Sequence, residues 1–340
     1  MIGNSVGEYK IVEKVGQGGM GSVYRAVHSK LDQTVAIKVL SSEFSDNPSM
    51  RKRFINEARI QAKFSHPNVV NVLNFFEIDN KAYLVMEFVE GDTLEKMLQR
   101  KGILQIDEAL NISYSVLNAL MFMHSKGVIH RDIKPANIMF TKSKVVKVAD
   151  FGIAKSVDEK TKHTKTGMLG SVMYLTPEQI LGEQISASTD IYSFGITLYK
   201  MLTGRTPFTS KSEFEIMKSH LEQQPAQPNE YNDYISKSLS KVILKSISKD
   251  PKKRYSSASE FSQKLRSSKK ENFRINLNFP NIGENINSFG LFLKRNLHVF
   301  IVIFLIIMIF SVYKFSPTLS LTYLSIKEYF LKLYLNIFFG

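Results

Sequence analysis

The chain contains no cysteine. This excludes disulfides, a thiolate metal site and a cysteine nucleophile, and it fits a reducing compartment. The N-terminus lacks a basic stretch followed by an apolar run, so no secretory signal is expected. There is no internal repeat. There is also no stretch with the character of an RNA- or DNA-binding element, so nucleic acid is not an expected partner, although the net charge is +14. In two blocks that charge divides into +9 up to residue 268 and +5 from residue 269 onward, and it reads as spread. What is present is ordinary globular composition: 44% hydrophobic and 22% charged over 340 residues, enough for a sizeable core and about two globular units.

Residues 9–90 read as strands with one helix interposed. Tyr9–Val15 and Ser22–Ala26 flank a glycine cluster, and Gln33–Leu40 alternates as a half-buried strand does. Pro48–Phe64 carries Phe54, Ile55, Ala58 and Ala62 at helical spacing. Val69–Ile78 and Lys81–Phe88 form a hairpin pattern turning at Asp79-Asn80. From Thr93 the pattern becomes helical, with a long helix starting at Ile106-Asp107-Glu108, and helices dominate again from Thr189 to Leu265. The class is α+β, with a strand-rich first part and a helix-rich second. Residues 267–296 are polar and Asn-rich and read as a linker. Leu297–Tyr313 holds no Asp, Glu, Lys or Arg over 17 residues. That is the short end of the length for a membrane span, and a single transmembrane helix is expected there.

Gly16-Gln17-Gly18-Gly19-Met20-Gly21-Ser22-Val23 contains G-x-G-x-x-G. In a dinucleotide-binding unit the third glycine opens a helix. Here a strand pattern comes next, which favours a hairpin lid whose backbone N–H groups approach phosphate oxygens. The loop gains meaning from the motifs downstream of it, in order: Val35-Ala36-Ile37-Lys38, Glu57 on the next helix, His130-Arg131-Asp132-Ile133-Lys134-Pro135-Ala136-Asn137, Asp150-Phe151-Gly152 and Thr176-Pro177-Glu178. Each fragment alone is common, but the ordered set has no structural explanation of its own.

Over residues 9–266 the chain resembles a eukaryotic-type (Hanks-type) Ser/Thr protein kinase of the bacterial group. The resemblance implies a two-lobed fold, with a small lobe of about residues 9–90, a large lobe of about residues 91–266, and ATP in the cleft between them. It implies that the lid from Val15 to Val23 covers the phosphates and that Lys38 contacts them, with Glu57 holding its ammonium. Asp150 and Asn137 would bind Mg²⁺, hard oxygen donors for a hard cation. Asp132 would accept and orient the substrate hydroxyl, and Lys134 would neutralise charge on the γ-phosphate. Val23, Ala36 and Met139 would wall the adenine pocket, with Met86 at its back and Glu87–Val89 as the hinge. Asp190 would hold the catalytic loop, and Glu178 and Arg254 would pair. Asp-x-Lys-x-x-Asn resembles the Ser/Thr form of the loop. A nucleotide-binding scaffold without catalysis would lack Lys38, Asp132 or Asp150, and all three are present.

Regulation enters through Arg131. In the family an arginine before the catalytic aspartate tends to meet a phosphorylated residue, and residues 158–169 hold Thr161, Thr164 and Thr166 among lysines. Autophosphorylation at Thr164 or Thr166 is expected. Three departures stand out. Gly170-Ser171 replaces Gly-Thr but keeps the bridging hydroxyl. Thr176 replaces an alanine, expected to be a surface-tolerable change. Gln61 stands where relatives place an apolar residue.

The expected partners are protein substrates bearing Ser/Thr, the lipid bilayer and a second copy of the chain for phosphorylation in trans. The kinase domain is expected in the cytoplasm, with the chain crossing the plasma or inner membrane once. Local charge leans the other way, since Lys294 and Arg295 precede the span whereas Lys314, Lys327 and Lys332 come after it. A folded catalytic domain without an export signal outweighs that. The apolar tail, residues 314–340, is expected to lie at the membrane interface, with a returning second span as the alternative. Its 27 residues are too few for a folded sensor.

Overall fold

The computed structural model describes residues 1–18, 21–41, 47–79, 81–150 and 169–272. Gly19, Met20, Phe151, Gly152, Thr161, Thr164, Thr166, the linker, Leu297–Tyr313 and the tail lie outside the described residues, as does the side chain of Glu57. Among the described residues no helix is long and apolar enough to cross a membrane.

The first part is a six-stranded antiparallel sheet in the order β1-β2-β3-β4-β6-β5. Its strands are β1 (Ser5–Val6), β2 (Tyr9–Gly18), β3 (Gly21–His28), β4 (Thr34–Leu40), β5 (Val72–Ile78) and β6 (Lys81–Glu87). Helix α1 (Pro48–Gln61) interrupts them. The sheet has apolar residues on both faces. One face packs Tyr9, Ile11, Val35, Ile37 and Tyr83 together. The other packs Ala36, Leu84 and Met86 against Phe54 and Ala58 of α1. Alternation along β4 therefore sends Val35 and Ile37 one way and Ala36 the other. The β5–β6 hairpin turns at Asp79, whose φ is 51°. Aspartate tolerates this left-handed conformation better than most side chains.

The second part is helical: α2 (Leu94–Lys101), α3 (Ile106–Ser125), α4 (Leu169–Val172), α5 (Pro177–Leu181), α6 (Ala187–Thr203), α7 (Glu213–Glu222), α8 (Lys237–Ser246) and α9 (Ala258–Asn272). A two-stranded ribbon, β7 (Ile138–Phe140) with β8 (Val146–Val148), lies between α3 and α4 in the chain. The helices share one large apolar core, centred on α3 and α6. Helix α6 is buried almost all round, from Thr189 to Leu202, and takes the polar Thr189, Asp190, Ser193 and Thr197 into the interior along with its apolar residues. Met1–Arg274 forms one compact unit.

Two glycines are fixed by close approach. A Cβ at Gly21 would lie 1.9 Å from the Val39 carbonyl oxygen, and one at Gly91 would lie 2.0 Å from that of Phe140. Gly21 lets the lid hairpin lie flat on β4. Gly91 lets the segment after β6 cross β7, and it is held there by the Phe140 N–H donating to Asp92 O at 2.9 Å.

Candidate active site

The loop before β7 is built on the N-terminal part of α6. Asp190, fully buried, accepts the backbone N–H of His130 on Oδ2 and that of Arg131 on Oδ1, both at 2.8 Å, and its Oδ2 lies 2.7 Å from His124 Nε2. This carboxylate anchors a strained turn, since Arg131 has φ 69°, a conformation that a long side chain adopts only when its surroundings impose it. His130 is buried and uses both ring nitrogens. Its Nδ1 accepts the Asp132 N–H at 3.3 Å, and its Nε2 lies 3.0 Å from the Ala149 carbonyl, to which it donates as the neutral tautomer. Burial lowers the His130 pKa, so it stays neutral in this role.

Asp132 is contacted on both carboxylate oxygens. Lys134 Nζ lies 2.9 Å from Oδ2, Asn137 Nδ2 donates to the same oxygen at 3.0 Å and to the Asp132 carbonyl at 2.8 Å, and Ser171 Oγ stands 3.5 Å from Oδ1. Lys134 also donates to Ser171 Oγ at 3.0 Å. The serine hydroxyl at 171 therefore does bridge Asp132 and Lys134.

Asp150 comes to the same place through the ribbon. Ile138 pairs with Val148, and the Ala149 N–H donates to Asn137 O at 2.9 Å. Asp150 also has positive φ, 54°. Its Oδ1 accepts Lys38 Nζ at 2.8 Å, and the lysine holds the carboxyl below its usual range despite desolvation. The Asp150 carboxylate and the Asn137 amide oxygen, whose NH₂ is committed to Asp132, form a hard oxygen pair. Mg²⁺ sites commonly use one or two protein oxygens plus substrate phosphates, so this donor set fits Mg²⁺ bound together with a nucleotide. Among the described residues no group of three or more His, Cys, Asp or Glu forms a cage, and such a site needs none.

The residues expected to wall an adenine pocket also converge. Ala36 faces Met86 in register, and both pack in one apolar cluster with Val89, with Val23 and Met139 at its margin. The lid is the β2–β3 hairpin, with Gly16 opposite Val23, Gln17 opposite Ser22 and Gly18 opposite Gly21. Val15 is exposed on it. Glu87 ends β6 and pairs with Lys147 of β8, while its other oxygen accepts Asn71 Nδ2 at 3.3 Å. The lysine–glutamate tie across the hinge has no signal in the sequence, because Lys147 reads as an ordinary strand charge. Gln179, whose Nε2 donates to Arg131 O at 3.0 Å, is equally unmarked.

Glu178 and Arg254 pair through two bonds of 2.7 and 2.8 Å, both side chains being buried. Thr176 is not a surface position. It is fully buried and caps α5, accepting the Gln179 N–H at 3.2 Å, while the Gln179 side chain accepts the Thr176 N–H at 3.1 Å. The hydroxyl supplies a cap that alanine lacks. Gln61 is buried too.

The protein kinase domain model matches residues 9–265. The chain belongs to the protein kinase family, in its bacterial serine/threonine branch. It is 43% identical over 272 residues to the probable serine/threonine-protein kinase CPE1738 of Clostridium perfringens, covering 80% of this chain and 40% of that one. It is 38% identical over 261 residues to serine/threonine-protein kinase PrkC of Bacillus subtilis, covering 76% of this chain and 40% of that one. The match thus spans about two-fifths of the length of these curated relatives. Among solved structures, the PknI kinase domain of Mycobacterium tuberculosis superposes with a TM-score of 0.64 at 27% identity, over 79% of this chain and 99% of that one. The two-lobed arrangement is that of a protein kinase.

Proposed function

We propose that this kinase transfers the γ-phosphate of ATP to serine and threonine hydroxyls of proteins, itself included, from a position on the membrane. The observation that carries this reading is the arrangement around Asp132. Its carboxylate is fixed on one oxygen by Lys134 and Asn137, while the other faces Ser171. A carboxylate so held accepts a hydrogen bond from an incoming hydroxyl and turns that oxygen toward the phosphorus, and positioning of this kind is most of what phosphoryl transfer asks of a protein. Lys134, beside it, offsets charge on the transferred group. Lys38 reaches the nucleotide phosphates from β4, and its pairing with Asp150 brings that ammonium to the metal-binding carboxylate. Magnesium bound with the nucleotide supplies charge neutralisation at the phosphate oxygens. Asp150 and Asn137 are the residues that would hold it, and the lid from Val15 to Val23 would cover the phosphates.

Self-activation is part of the proposal. Its support is Arg131, held beside Asp132 by Asp190, together with the basic, threonine-bearing segment from 158 to 169. A phosphate on Thr164 or Thr166 brings about −1.5 to −2 charge to such an arginine, and trans transfer within a homodimer is the route. The membrane position rests on Leu297–Tyr313, 17 residues without a charged side chain, with the kinase domain in the cytoplasm where ATP is available. The test is mass spectrometry of purified chain incubated with ATP and Mg²⁺. Phosphate on Thr164 or Thr166 is expected, with activity on a basic test substrate rising as it accumulates. A Thr164→Ala/Thr166→Ala double variant as active as the wild type would refute self-activation. A wild-type chain that labels neither itself nor the substrate would refute the kinase activity.

A further inference from the structure

The net charge of the folded unit is concentrated near its C-terminal end. Residues 1–236 hold 28 Lys/Arg against 26 Asp/Glu, whereas residues 237–270 hold 11 against two. A division into two long blocks hides this contrast. Lys237, Lys241 and Lys245 recur every four residues along α8 and are all exposed, while Leu239, Ile243 and Ser246 turn into the core. The stripe continues onto α9. Lys245 Nζ lies 3.5 Å from Glu260 Oε1, and Lys264, exposed, stands one turn beyond Glu260. Lys252 and Lys253 are exposed on the turn between the helices. The two acids of the region are occupied locally. Glu260 accepts the Ser256 N–H and hydroxyl at 2.8 Å each, and Asp250 accepts the Lys252 N–H at 2.9 Å.

We propose that the lysine stripe of α8 and α9 is a docking surface for an anionic lipid bilayer. The stripe is built of lysine, a hydrated point charge suited to a diffuse field of headgroups, rather than of arginine, the residue that reads nucleic acid by bidentate contacts. The region's two arginines are engaged elsewhere, Arg254 with buried Glu178 and Arg266 over the ring of Tyr114 at 4.2 Å. Tyr234, 86% exposed, precedes α8 and is the kind of amphipathic ring that sits at headgroup level. The position in the chain supports the same partner. Helix α9 ends at Asn272, and 24 residues later the uncharged segment Leu297–Tyr313 begins. Even fully extended, that stretch spans only about 85 Å, so a span there would limit how far the stripe can lie from a headgroup surface, whose attraction reaches about 8 Å at physiological salt. The inference rests on the membrane reading above, but its test does not.

Residues 1–274 form a compact unit with its own core and match kinase domains solved as separate chains. That fragment lacks Leu297–Tyr313. Its sedimentation with vesicles of phosphatidylcholine alone should be negligible, and with vesicles of equimolar phosphatidylcholine and phosphatidylglycerol substantial and reversed by high salt. Lys237→Gln/Lys241→Gln/Lys245→Gln/Lys264→Gln should lower the anionic binding by about tenfold or more and leave autophosphorylation in solution unchanged. Equal binding by this variant, no binding of the wild type to anionic vesicles, or tighter binding to a DNA duplex than to vesicles would each overturn the docking surface. Separately, the full chain found soluble after cell fractionation would refute the span while leaving the vesicle result to stand.

Discussion

His220 on α7 is fully buried, with Nδ1 2.9 Å from the Tyr192 hydroxyl. Burial, and then the neighbouring Lys249 ammonium, push its pKa down to about 3. Lys249 donates to the carbonyls of Ser219 and His220 at 2.8 Å and lies over the Phe208 ring. Because the folded form of His220 refuses a proton that the unfolded chain takes up below about pH 6.5, the unfolded state binds more protons between pH 6.5 and about 3. Its contribution is fully present above pH 6.5 and is lost as pH falls through that window, at up to about 1.4 kcal/mol per pH unit. Urea unfolding of His220→Gln against wild type across this range should show a shallower acid loss of stability in the variant, whatever its level at neutral pH. Parallel pH profiles would contradict the assignment. The residues proposed to act in catalysis differ in kind, since their roles would depend on mutual distance. Asp132, Lys134, Asn137, Asp150 and Lys38 are all legible as sequence motifs because phosphoryl transfer fixes both residue type and spacing. Glu57 carries no described side chain, and among the described carboxylates the Lys38 ammonium meets Asp150.

The elements show where reading from sequence reaches its end. The strands, the hairpin at Asp79 and the long helix from Ile106 come from periodicity and turn chemistry. Thr176 departs from the surface position expected of it because burial of a helix start depends on what packs over it, which no local pattern records. Gly91 and Lys147 escape a sequence reading for a related reason, as each is defined by a contact with a residue far along the chain, Gly91 with Phe140 of β7 and Lys147 with Glu87 of β6. Helix α5 illustrates the cost of such contacts. It is fixed by its capping box and by Glu178, whose carboxyl stays below its ordinary range because Arg254 offsets the desolvation. Thr189 also donates to Glu178 at 2.8 Å. Arg254→Met leaves that carboxylate buried without its partner. A loss of about 3–5 kcal/mol, read from denaturant midpoints, is expected. A loss below about 1 kcal/mol, the scale of an exposed pair, would show that the pair is not sealed from water.

At the scale of the whole molecule, the kinase unit and the segment beyond it need different tests. The native chain has no cysteine, so single cysteines report topology without background. A cysteine at Gly340 labelled by an impermeant reagent in intact cells would accord with one span, and labelling only after lysis would accord with a returning tail. External labelling of a cysteine at Ser5 would contradict a cytoplasmic kinase domain. The central claim is catalytic, and it is tested most directly by the rate of phosphate transfer from ATP by the full chain and by its Asp132→Asn variant. Thermal unfolding of both should show that the substitution leaves the fold intact. The account predicts measurable transfer by the wild type, and a rate lower by about 10²-fold or more in the variant at an unchanged unfolding midpoint. Equal rates in the two proteins would contradict it.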